Sequence, residues 1–103
     1  MKLLLDVVVW VQESDESELS MRTICVREPW TAHAEARVIA LDEESRMPHD
    51  ALVGGYKYFL EASVAREVLD VVRDRPNKLT AEDACELLVY YAEKDAYPDW
   101  VYE

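Results

Sequence analysis

The sequence predicts an α+β fold, a small antiparallel sheet of about three strands with helices packed on one face, in the order helix, three strands, two helices. Three observations predict it. Residues 21–27 and 34–41 alternate with the period of a strand, residues 62–75 carry an apolar stripe at helical spacing, and Thr80 with Asp83 has the form of a capping box ahead of a second such stripe.

Taken in order, the N-terminal run is ambiguous. Leu4, Val7, Val8 and Val11 fit the i, i+3, i+4, i+7 template of a helix, while three consecutive valines favour a strand. Residues 13–20, Glu-Ser-Asp-Glu-Ser-Glu-Leu-Ser, are polar and turn-prone and separate this element from the next. Met21 to Arg27 then sets Arg22, Ile24 and Val26 against Thr23, Cys25 and Arg27, and Ala34 to Leu41 sets Ala36, Val38 and Ala40 against Glu35, Arg37, Ile39 and Leu41. The intervening Pro29-Trp30-Thr31-Ala32-His33 is long enough for an antiparallel connection, which implies a meander.

Asp42 to Asp50 reads as a polar loop, and Tyr56 to Leu60, after the chain's only two glycines, as a short third strand. In residues 62–75 the stripe is Ala65, Val68, Leu69 and Val72, with Arg66, Glu67, Asp70, Arg73 and Asp74 outside it and Pro76-Asn77 as the stop. The last helix, capped by Thr80, buries Ala84, Leu87, Leu88 and Tyr91 and is expected to run to about Lys94.

The chain has 103 residues, half of them apolar, with three Trp, six Tyr and one Phe. That is enough to bury a core in a single domain over residues 1–103 and is unlike a disordered composition. Cys25 and Cys85 lie in apolar surroundings without CxxC spacing and read as buried free thiols. Asp6 breaks the apolar N-terminal run and no small-x-small cleavage site precedes the acids of residues 13–18, so cytoplasmic residence is expected. The run is also too short to span a membrane.

Charge narrows the function further. Twenty-two acidic side chains against eleven basic ones give a net charge of −11, which disfavours nucleic acid and anionic membranes as partners and suits a basic protein. Catalytic groups do not converge: there is no G-x-S-x-G, no phosphate-cradling glycine loop and no H-E-x-x-H. His33 and His49 fall in different loops and neither cysteine has a ligand at useful spacing, so no metal site, no cofactor and no enzyme activity are expected. The acids at 42–44 are adjacent loop residues and read as surface charge, not as a general acid–base pair.

The C-terminal stretch is the most distinctive. Tyr90, Tyr91, Tyr97, Trp100 and Tyr102 interleave with acids; such aromatics serve interfaces as anchors, and carboxylates around them steer a cationic partner. Tyr91 is expected in the core, and Asp95, Asp99 and Trp100 at the surface.

From about Trp30 onward, the order of features resembles the small acidic bacterial immunity proteins of contact-dependent growth inhibition and related polymorphic toxin systems. Pro29-Trp30-Thr31, Val38 to Glu44, Gly55-Tyr-Lys-Tyr-Phe-Leu60 and Leu87 to Tyr97 carry the resemblance, above all the aromatic pair followed by Lys-Asp-Ala-Tyr at the end of the last helix. It covers about two-thirds of the chain and tips residues 3–11 toward a helix, although their valine content departs from the family's pattern. It implies an antidote that binds and blocks a cognate toxin domain, commonly a nuclease of tRNA or other nucleic acid with a basic cleft. The expected partner contact is Asp42, Glu43, Glu44, Asp95, Tyr97, Asp99 and Trp100, with a helix across the sheet bringing loop and tail into one face. The alternative is an acidic adaptor or regulatory module with no toxin partner.

Overall fold

The computed structural model describes residues 3–44, 46–75 and 79–102. Its elements are α1 (Leu4–Glu13), a single-turn α2 (Glu16–Leu19), β1 (Arg22–Arg27), β2 (Ala36–Ala40), β3 (Tyr56–Glu61), α3 (Ala62–Val71), α4 (Ala81–Lys94) and a 3-10 turn, Asp99–Tyr102. The fold is the α+β arrangement the sequence predicts, with a three-stranded antiparallel sheet.

The N-terminal run is a helix. Leu4, Val7, Val8 and Val11, the four positions of its apolar stripe, are fully buried, so burial of one face outweighs the strand preference of valine. Two N–H groups at its start, those of Leu4 and Leu5, donate to the carbonyls of Ala34 and Ala32 at 2.9 Å each and bind the β1–β2 connection. Asp15 caps α2 by accepting from the Glu18 N–H at 3.0 Å, turning part of the expected 13–20 spacer into helix.

Strand order is β2-β1-β3, so the meander expectation is corrected: β3 pairs with β1, not with β2. Residues 46–55 lie over the outer face of the sheet, where the Arg37 guanidinium donates to the Ala51 carbonyl at 3.4 Å and Cys25 Sγ lies 4.0 Å from Met47 Sδ. Gly54 and Gly55, at φ +93° and +86°, make the turn into β3, a backbone conformation that side chains with a Cβ rarely adopt. β1 is buried on both faces from Thr23 to Val26 as a result. A register shift in β3 opposite Ile24 and Cys25 keeps both Phe59 and Leu60 in the core.

The helices cover the inner face. Ala65, Val68, Leu69 and Val72 of the α3 region and Ala84, Leu87 and Leu88 of α4 join α1, Ile24 and Val26 in one hydrophobic cluster. α3 ends at Val71, short of the expected residue 75, and the Pro76-Asn77 stop lies outside the described residues. α4 has the expected Thr80–Asp83 box, with the Asp83 N–H donating to Thr80 Oγ1 at 3.1 Å. Both cysteines are buried free thiols, and burial, with Glu82 and Glu86 nearby, pushes the Cys85 thiol up to about 12.

Arg66 is not on the outside as its place off the stripe suggested. Its guanidinium donates to the carbonyls of Val11, at 3.1 Å, and Ser14, satisfying acceptors that the end of α1 leaves without helical partners. Asp70 pairs with it at 3.3 Å. Arg66→Met keeps most of the packing and removes the charged donor, so a loss of about 1.5–3 kcal/mol is expected in urea unfolding, and Arg66→Lys should recover only part of it.

Candidate partner-binding surface

The tail is built from the end of α4. Asp95 takes the left-handed conformation, φ 53° and ψ 36°, that closes this helix, a backbone position Asp and Asn tolerate better than most residues. Its N–H donates to the Tyr91 carbonyl at 2.8 Å. The chain then turns back over the helices. Tyr97 is half-buried, its ring 5.3 Å from that of Tyr91 and 6.4 Å from that of Tyr102. Burial, followed by the neighbouring Tyr91, Tyr102 and Glu67, raises its phenol above the ordinary range, so it stays a neutral donor at physiological pH.

Pro98 and Val101 are buried, and between them Asp99 opens the 3-10 turn as an exposed acid. Trp100 is 38% exposed and lines a groove of about 370 Å³ with Asp83, Glu86, Leu87, Tyr90 and Pro98. Arg75 fixes this turn from beneath, donating to the carbonyls of Trp100, at 3.4 Å, and Val101, with its guanidinium 5.9 Å from the indole centroid. The result is an aromatic held in place with acids on both sides of it.

The acidic loop is a separate construction. Asp42 Oδ1 accepts from the N–H groups of Glu44 and Arg46 at 2.9 and 2.8 Å, and Arg46 pairs with Asp42 at 3.3 Å and with Glu44 at 3.1 Å. Two of the three expected contact acids are therefore engaged locally, while Glu43 is exposed. These pairs are solvent-exposed and individually weak, so a partner could displace them.

The loop and the tail are not brought together as expected. Asp42 follows the end of β2, beside which α3 begins through the Thr23–Glu61 pairing, whereas the Trp100 turn is tied to Arg75 beyond the end of α3. A ten-residue helix spans about 15 Å, and no hydrogen bond, ion pair or ring contact joins residues 42–44 to residues 95–102 among the described residues. Asp95, Tyr97, Asp99 and Trp100 all lie in the tail, where Tyr97 packs on Tyr91 and Tyr102 while Trp100 faces the groove beside Asp83 and Glu86.

Residues that sequence reasoning left out complete this surface. Arg75 is one, and its role depends on a tertiary contact that no spacing records. Asp83 and Glu86 of α4 are the others, exposed acids three residues apart that line the Trp100 groove, a spacing the sequence does carry. Among the described residues there is no group of three or more His, Cys, Asp or Glu placed to hold a metal ion, and no helix is long and apolar enough to cross a membrane.

The model of a family described as a domain of unknown function, DUF7716, matches residues 7–100, and the chain belongs to that family. No curated protein and no solved structure matches it.

Proposed function

We propose that this DUF7716 protein is a cytoplasmic immunity protein that binds a basic toxin domain, a nuclease of the tRNase kind, and neutralises it without catalysis of its own. The observation that carries the reading is Trp100, held half-exposed by Arg75 and flanked by Asp83, Glu86 and Asp99 in a chain of net charge −11. A rigid aromatic anchor in an acidic field suits a cationic protein surface, because the ring supplies buried area at low entropic cost while the carboxylates favour encounter and orientation. A nuclease needs a basic cleft to hold phosphates, so it presents the complementary charge.

The test is inhibition of a nuclease domain encoded by the adjacent gene. Cleavage of tRNA should stop at one equivalent of this protein. Cleavage that continues in excess protein would overturn the reading, and an operon of metabolic or signalling genes would favour the adaptor alternative.

A further inference from the structure

We propose a second contact surface, resting on the reading of a basic partner: the groove between the β1–β2 connection and α4 receives a cationic amphipathic helix of that partner. The groove has a volume of about 450 Å³. Trp30 and Ala32 form one wall; Glu82, Glu86, Val89 and Glu93 form the other. Those four α4 residues recur at i, i+4, i+7 and i+11, so they make a straight stripe about 16 Å long.

Both walls are fixed before any partner arrives. The Trp30 indole N–H donates to the Val26 carbonyl at 3.2 Å and its ring meets Phe59 edge-on at 5.0 Å, leaving the half-buried indole oriented. Ala32 is tied by its carbonyl to the Leu5 N–H at 2.9 Å, and α4 is capped at both ends, by Thr80 and by Asp95. A preformed groove spares the partner much of the ordering cost of binding.

Among the described residues no ion pair engages its carboxylates, and His33 is the one basic side chain in its lining. The ion pairs lie in Arg27–Glu35, Arg46 with Asp42 and Glu44, and Asp70 with Arg66 and Arg73. Glu82 and Glu86 stand four residues apart on one helix, a like-charge arrangement that weakens a helix until a cation intervenes. An apolar floor between spaced carboxylates calls for Lys or Arg alternating by helical turns with Leu-like residues. A purely polar polycation would leave Trp30 and Val89 unused.

The probe is a synthetic helical peptide with lysine on one face and leucine on the other, compared with a scrambled peptide of the same composition. Peptide binding by fluorescence anisotropy, with amide-shift mapping by NMR, should place the ordered peptide at Ala32, Glu86, Val89 and Glu93. The double variant Glu82→Gln, Glu93→Gln, at residues that line this groove and not the Trp100 groove, should weaken it about tenfold, with circular dichroism unchanged. Equal binding of the scrambled peptide would overturn the proposal by reducing it to net charge. Binding that survives in the double variant and maps to Glu43 or Asp99 would overturn the groove while leaving the basic-partner reading intact. Failure of both peptides to bind at low salt would overturn the two together.

Discussion

Leu88→Ala is expected to destabilise the fold by about 3 kcal/mol, lowering the melting temperature by roughly 15 °C. Leu88 has no exposed surface and sits on α4 where that helix packs against both α1 and α3. Truncation there leaves a cavity lined by helices held in place by polar ties: α1 by its hydrogen bonds to residues 32 and 34, and α3 to the end of α1 by Arg66. Neither can collapse inward cheaply. Alanine is the better helix former, so the whole loss reports packing. Tyr90→Ala, two residues along and 40% exposed, should cost less than about 1 kcal/mol. Urea titration of both variants checks the contrast; equal losses would mean that α4 packs on a different face.

The second large effect falls on binding. Trp100→Ala should weaken the partner complex by about 2 kcal/mol, close to thirtyfold, with little change in melting temperature. The expectation rests on how the residue is held: its carbonyl is bound by Arg75, so the backbone turn persists when the ring is removed, and the exposed indole leaves a surface gap rather than a core cavity. Val101, its neighbour, is the residue that plugs the helical layer. Asp99→Asn should act mainly through association rate, as exposed interface charges do. A melting temperature that falls in step with the affinity of Trp100→Ala would return the ring to the core and move the interface elsewhere.

Helices and strands were legible because local periodicity records them. The stripes of α3 and α4, the Thr80–Asp83 box and the alternations of β1 and β2 lie in the elements the sequence predicts, although Tyr91, expected in the core, is only partly buried and Val72 falls just past the end of α3. Strand order was harder, since which side of β1 receives β3 depends on how residues 46–55 lie across the sheet. One clue was present: Thr-Ile-Cys-Val in β1 is free of charge, whereas β2 carries Arg37 and β3 carries Lys57, as suits a central strand between two edges. For the candidate surface, chemistry was legible and placement was not. The sequence marks Trp100 and its acids as interface-like, yet it could not show that Asp42 is committed to Arg46, that Asp95 closes α4, or that Arg75 holds the Trp100 turn. Each of these depends on a contact or a backbone angle set by tertiary structure.

If exposed acids bring a basic partner to this protein, the association rate must respond to salt. Steering between exposed charges acts over about 8 Å at physiological ionic strength and shrinks as salt is added. With the adjacent gene's nuclease domain as partner, stopped-flow mixing should show the on-rate falling by about tenfold or more from low to high salt, while the dissociation rate changes little. An on-rate that stays flat across that range would contradict the account.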